Sequence, residues 1–404
     1  MLVSINDLGL GGTQLNAIDF ARACRERGIE SVLVAFRETL PPGPSLLDVA
    51  RREGFEIQLV NHGSNIIASS QRLVEIAKRE HVDLVHSYGG RWTRLAYWGP
   101  HRFGRIPMIS MVYDVTVPDE VPRYAPMITG TRILLEEYQD SWPSPVYLVS
   151  PPVDTDRDTP AVDVSGFVDD LDLDPDAPRV VIVCRLAESM KALTVDQAIR
   201  SLRHLEQQRP QLVIVGDGDA AERLRVLGDE VNSELGRRAV VFAGALDDPR
   251  PAYNAADVVI GMGSSAARAL AFAKPLVVSG EYGWYRTFTP DTADEHFRYS
   301  FWSDDQITEP VIELANILSG LLDDDRQREE LGRFGRQFAE QNCGLAAMTD
   351  RLADISDETL DRHGDRRRRR WIKGLSNELA PAARRLTRMV RRRGDTPDDE
   401  PDDG

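Results

Sequence analysis

The chain has 404 residues, too many for one ordinary core, so two or three domains are expected. Its 42% hydrophobic and 28% charged residues fit a soluble globular protein, and no apolar run approaches the roughly 18 residues of a membrane span. The net charge of −16 is unevenly spread, with +11 on residues 362–394, −6 on 395–404 and therefore −21 on 1–361. Cys24, Cys184 and Cys343 are too few and wrongly spaced for a disulfide framework or a zinc cluster. With no basic-then-apolar leader in MLVSINDLGLGG, the expectation is a cytosolic protein.

MLVSI (1–5) reads as a first buried strand, followed by Gly9, Gly11 and Gly12. Thr13 is the expected N-cap of a helix that ends at Gly28, where a C′ glycine is common. Strands follow at SVLVAF (31–36), FEIQLV (55–60), VDLVHS (82–87), PMISMVYD (107–114) and PMITGT (126–131), with helices at 70–80 and around TRLAYWG. This alternation means a doubly wound parallel sheet. VYLVSPPVDTDRDTP (146–160) breaks the rhythm with three prolines and reads as a linker. Alternation resumes at Val180, with strands at 212–219, 239–246, 256–263 and 275–281, and turns purely helical after about residue 308. The fold class is therefore α/β, two tandem Rossmann-like domains with a cleft between them and a C-terminal helical extension. The expected divisions are 1–150, 151–320, closing helices at 321–360, and a basic amphipathic tail with an acidic end at 361–404, partly disordered.

Three loops carry chemistry. The apolar run Val180–Val183 stops at Cys184-Arg185, and a helical pattern starts after Lys191. Two cations thus lie at the carboxyl end of a strand, where ligands bind in open α/β sheets. They suit one anion, Arg185 as a planar fork and Lys191 as a mobile point charge, although solvated surface charge is the plainer reading. The GLGG loop lacks the dinucleotide fingerprint, since Gln14 stands where a third glycine is needed, and no GxxxxGK[ST] occurs. What it offers is a glycine turn feeding a helix N-terminus, which also suits phosphate. In 256–281, Gly261 and Gly263 turn the chain after a strand, and Ser264 is expected to cap the helix beside Ser265. Arg268 sits just past that helix's first turn, where the dipole disfavours a cation, so it faces solvent, an acid or a bound anion. Gly216 and Gly218 mark a turn or a loop beneath a nucleotide. His86 and Tyr113 are read as ending neighbouring strands, where they are placed to line the cleft, although for a lone histidine such as His86 a structural hydrogen-bonded role is the plainer reading. Asp323-Asp324-Asp325 reads as a helix N-terminal cluster, and no metal site is expected.

These segments together resemble the family-4 retaining glycosyltransferases of the two-Rossmann (GT-B) class over about residues 6–360. The resemblance rests on the order of GLGGTQLNAIDFARACRERG, VDLVHSYGG, MVYD, VSPPVDTDR, CRLAESMK, LVIVGDGDAAERL, VVFAGAL, YNAADVVIGMGSSAARALAFAKP and GLAAMTDRLADI. It implies a sugar nucleotide on the C-terminal domain, an acceptor on the N-terminal domain, and last helices that cross back to the first domain. It also implies that Arg185 and Lys191 are catalytic, neutralising the donor diphosphate. Gly11 and Gly12 approach the donor phosphate and sugar, and Leu246 offers a backbone contact to the base. The family needs no metal, and the sugar nucleotide is a substrate, so no cofactor is expected. Two positions depart from the pattern. The usual pair of glutamates falls at about Ile260 and at Arg268, and the cleft histidine is Tyr113; Glu281 and His86 are the candidate substitutes.

The tail 366–393 interleaves arginines with Trp371, Ile372, Leu375, Leu379, Leu386, Met389 and Val390, a pattern that suits an anionic membrane surface. Its alternatives are a solubilising tail or an arm for an acidic partner. No nucleic-acid recognition fold accompanies the charge. The expected function is transfer of a hexosyl group from a UDP- or GDP-sugar to a glycan or lipid-linked acceptor in polysaccharide biosynthesis. The expected place is the cytoplasm, including the inner face of the membrane. The alternatives are a non-catalytic sugar-nucleotide-binding scaffold of a glycan assembly complex and, behind it, a nucleotide-sugar epimerase.

Overall fold

A computed structural model describes residues 1–6, 8–9, 12–37, 45–61, 65–114, 116–189 and 191–366. Short apolar runs punctuated by glycines build the first half as β1 (Leu2–Ile5), α1 (Gly12–Glu26), β2 (Val32–Phe36), α2 (Leu46–Arg52), β3 (Ile57–Val60), α3 (Ile66–Arg79), β4 (Val85–Tyr88), α4 (Gly90–Ala96), β5 (Met108–Val112), β6 (Met127–Thr129), α5 (Arg132–Tyr138) and β7 (Val146–Leu148). These strands form a parallel sheet in the order β3-β2-β1-β4-β5-β6-β7. The second half runs α6 (Ser165–Asp170), β8 (Arg179–Val183), α7 (Ala192–Ser201), β9 (Gln211–Val215), α8 (Ala221–Leu235), β10 (Val240–Gly244), α9 (Arg250–Ala255), β11 (Val258–Gly261), α10 (Ser264–Ala271), β12 (Leu276–Ser279), β13 (Tyr285–Thr287) and α11 (Ala293–Arg298). Its sheet order is β10-β9-β8-β11-β12-β13. Helices α12 (Pro310–Asp323), α13 (Asp325–Asn342) and α14 (Leu345–Arg366) close the described chain.

The pleat of β8 shows why its sequence is apolar without alternation. Val180 and Ile182 join the core beneath α7, α8 and α12, whereas Val181 joins the one beneath α9, α10 and α13. A parallel strand covered on both faces must be apolar on both. In the first sheet Leu2, Val34, Phe36, Val60 and Val85 pack against Leu73 and Ile76 of α3 and Trp92 and Leu95 of α4.

The elements depart from the sequence reading at several points. The segment read as a linker begins with β7, a three-residue edge strand too short for a pattern to show. β13 runs antiparallel to β12, because the chain reverses through a tight turn in which Gly280 N–H donates to the Trp284 carbonyl at 2.7 Å. α1 already starts at Gly12, so Thr13 lies inside the helix. Gly263 is the N-cap of α10 and Ser264 its first helical residue, so Ser264 does not cap it.

The chain divides into two compact units, residues 1–356 and 357–404. The first contains both sheets. Within it α13 packs on α10, with Gly332 against the Ala273 carbonyl, while the first turns of α14 meet the first half. There Arg27 at the end of α1 binds Asp350 at 2.6 Å and the Ala346 carbonyl at 3.0 Å. Of the second unit, residues 357–366 are described as the last turns of α14, where Arg362 pairs with Glu358. The basic tail expected to meet a membrane otherwise lies outside the described residues. No helix among the described residues is long and apolar enough to cross a membrane.

Candidate active site

The N-termini of α1 and α10 face each other across the gap between the two sheets. A Cβ on Gly12 would stand 3.8 Å from Ser264 Oγ, so nothing bulkier than these two small residues separates the helix ends. Gly263 reaches its capping position at φ +61°, ψ −132°, a conformation that favours glycine, and its N–H donates to the Phe301 carbonyl at 2.8 Å. Ser264 is exposed, whereas Ser265 turns inward and donates its hydroxyl to the Met262 carbonyl at 3.0 Å. The first N–H groups of a helix have no partner within the helix and its start carries a partial positive charge, so two such ends aimed at one gap reinforce each other. Gly11 lies outside the described residues.

Lys191 completes this arrangement from the β8 side. Its ammonium donates to the same Met262 carbonyl at 3.2 Å, which carries the charge from the β8 loop to the entrance of α10. Burial pushes its pKa below the ordinary lysine value, against the opposing pull of the Cys184 thiol and Glu281. Glu281, half-buried after β12, holds its place through its N–H to the Ser303 carbonyl at 2.9 Å. Arg185 is exposed on the same loop as Lys191. Gly216 sits under this loop for a packing reason, since at φ +138° any Cβ would overlap the Cys184 carbonyl oxygen. Leu246 is exposed beyond β10, three strands from β11. At about 4.8 Å per strand that is about 14 Å along the sheet.

Arg268 forms an ion pair with Asp158 at 2.8 Å, Asp158 itself being almost wholly enclosed. Asp19 of α1 also faces Arg268, and burial raises the Asp19 carboxyl to about 6 against the pull of Arg268 and Arg22. Arg22 in turn binds Asp154 and approaches Glu53 at 3.5 Å. Below the facing helix ends there is thus a band of ion pairs joining α1, α2, the 154–158 segment and α10. Sequence reasoning missed Asp19, Asp154 and Asp158. The one signal was Arg268 itself, because a cation near a helix N-terminus needs an acid.

His86 is not on the cleft. β4 extends to Tyr88, so His86 is an interior strand residue, 1% exposed, and its Nε2 lies 3.2 Å from Ser356 Oγ. Burial, with a smaller contribution from the N-terminal ammonium, depresses its pKa to about 3. It is a neutral structural histidine that charges more readily when unfolded, so its contribution to stability is intact above pH 6.5 and is lost as pH falls toward 3. We expect His86→Gln to flatten the fall of Tm between pH 6.5 and 4, read by thermal melts across that range. Tyr113, half-exposed just beyond β5, lays its ring on Gly130 and edge-on to Tyr88, with centroids 6.1 Å apart. Its hydroxyl is enclosed without a hydrogen-bond partner among the described residues. Gly130 also lines a small cavity with Ser150, Gly263, Ser264, Phe301 and Cys343, which places Tyr113 behind the wall of the cleft.

Among the described residues no group of three His, Cys, Asp or Glu side chains could hold a metal ion. Lys191, Arg185 and the two helix ends are groups with which this cleft can meet an anion.

Residues 177–294, from just before β8 to the start of α11, match the family described as Glycosyl transferases group 1. No curated protein matches the chain. Among solved structures, it is similar to a glycosyltransferase from Rickettsia africae, with a TM-score of 0.69 and 16% identity over 89% of this chain and 98% of that one. It is also similar to Anabaena HepE in complex with UDP-glucose, with a TM-score of 0.66 and 16% identity over 88% and 99% of the two chains. WaaG, a glycosyltransferase involved in lipopolysaccharide biosynthesis, aligns with a TM-score of 0.55 and 12% identity over 88% and 99%. At such identities the likeness is one of fold, and it spans nearly the whole of each relative. The chain thus has the two-sheet GT-B fold of these glycosyltransferase structures, and its match to the group 1 glycosyl transferases lies in the half built around β8–β13.

Proposed function

We propose that the protein moves a hexosyl group from a nucleoside diphosphate sugar to a glycan or lipid-linked acceptor, with retention and without a metal. The observation that carries this is Lys191 reaching the Met262 carbonyl at the mouth of α10, opposite the start of α1. A diphosphate held there receives N–H donors from both helix ends and positive charge from Lys191 and Arg185. In the transition state the leaving diphosphate gains charge, and preorganised donors and cations stabilise it most at that point. Leu246, about 14 Å away along the sheet, leaves room for ribose and base, and its backbone serves the base. The UDP-glucose held by Anabaena HepE favours uridine over guanosine as that base. Retention and metal independence rest on the resemblance to family 4.

The alternative of a non-catalytic scaffold rests on Arg268 standing where a carboxylate is usual and Tyr113 where a histidine is. Its ion pair with Asp158 favours catalysis, because the charge is engaged before any donor arrives. The test is titration of UDP, GDP and their sugar conjugates, followed by assay of released diphosphate. Binding with slow release supports transfer; binding without turnover across a panel of acceptors supports the scaffold. The basic tail is proposed as a membrane contact, which flotation on anionic liposomes with and without residues 362–404 decides.

A further inference from the structure

The carboxyl ends of β2, β3 and β4 hold a second group of cations that the donor site does not use. Arg37 directly follows β2 and donates from Nε to Asn61 Oδ1 at 3.1 Å. Arg72 of α3 reaches back to the same residue and donates to the Asn61 carbonyl at 2.6 Å. Arg91, at the start of α4, lies over the ring of Phe36, its Cζ 5.3 Å from the centroid. Phe36 is in turn stacked on Trp92 at 4.1 Å. All three guanidinium groups belong to exposed residues on a stretch of chain that carries −21 in total. Each bond to Asn61 uses one of the five N–H donors of its guanidinium, and among the described residues Arg37 and Arg72 make no other side-chain hydrogen bond.

Position and charge together narrow the ligand. β2 is the neighbour of β1, whose loop leads to Gly12. The cluster therefore stands about 5–10 Å along the sheet from the facing helix ends, the reach of about one or two sugar rings. Converging guanidinium forks match a phosphate dianion better than neutral hydroxyls or a single carboxylate. We propose that the acceptor is phosphorylated and that Arg37 and Arg72, with Arg91 above Phe36, hold its phosphate. This rests on the reading of the first half as the acceptor side.

The test is calorimetric titration of the full chain, saturated with UDP, with farnesyl phosphate, glucose 6-phosphate and octyl glucoside. The phosphorylated probes are expected to bind at least about tenfold more tightly than octyl glucoside. Arg37→Gln/Arg72→Gln should abolish that preference while leaving UDP affinity and Tm unchanged. Arg37→Lys/Arg72→Lys should retain part of it, and Arg79→Gln, on the far end of α3, all of it. Tighter binding of farnesyl phosphate identifies a lipid phosphate, and tighter binding of glucose 6-phosphate a phosphorylated sugar. Phosphorylated probes that bind no more tightly than octyl glucoside, or that bind the double glutamine variant like wild type, overturn the proposal. Failure of UDP to bind defeats the donor reading instead, and the phosphate arms run without nucleotide still decide this one.

Discussion

Lys191→Ala is expected to lower kcat by about 10²–10³-fold, the effect of removing one preorganised donor from a developing negative charge. The loss falls on kcat more than on KM, since the charge on the leaving diphosphate is greatest in the transition state. Folding should be little affected, because the ammonium makes one bond to a carbonyl that Ser265 also serves. Because burial lowers the pKa of Lys191, the cation is lost earlier on raising pH than in an ordinary lysine. The alkaline fall in kcat/KM, which reports the free enzyme, should therefore begin below the usual lysine range and be absent from the residual activity of Lys191→Ala. Steady-state kinetics from pH 6 to 10 on both proteins checks this, and identical profiles would remove Lys191 from the chemistry.

Arg268→Glu should fail as a repair. It restores the carboxylate usual in the resembled family, but places it against Asp158 and toward Asp19 and Asp154. Breaking a buried ion pair costs about 3–5 kcal/mol. With Arg268 about a third exposed, solvent screens part of this, so a loss of about 2–3 kcal/mol is expected. Arg268→Glu/Asp158→Arg should recover much of the loss, which a double-mutant cycle by denaturant unfolding measures. Equal stability of Arg268→Glu and wild type would mean that the pair carries no weight in joining α10 to the 154–158 segment.

What was legible in the sequence follows the range of the forces involved. Val180–Val183 announced a doubly covered strand, and Gly28, at φ +77° behind α1, announced a helix end, since both signals are local. Arg185 and Lys191 could be placed at a strand's carboxyl end because strand and helix patterns flank them. His86 was misplaced because VDLVHSY gives no sign of where pairing stops, and a shift of the strand end from 87 to 88 puts His86 in the interior. Arg268 was left with three partners to choose from. Its partner lies 110 residues earlier, in a segment whose prolines hide a fixed structure, and only the tertiary fold brings Asp158 beneath α10. The meeting of Arg37 and Arg72 at Asn61 is equally invisible, since it depends on the order β3-β2-β1.

Transfer by this cleft depends first on a diphosphate bound between the starts of α1 and α10. The decisive measurement is titration of UDP-sugars into wild type and Arg185→Ala/Lys191→Ala, with released UDP assayed on the same samples. Saturable binding with slow release in wild type, and loss of both in the double variant at unchanged Tm, is the predicted result. Binding that persists unchanged in the double variant, or no binding to wild type, would contradict it.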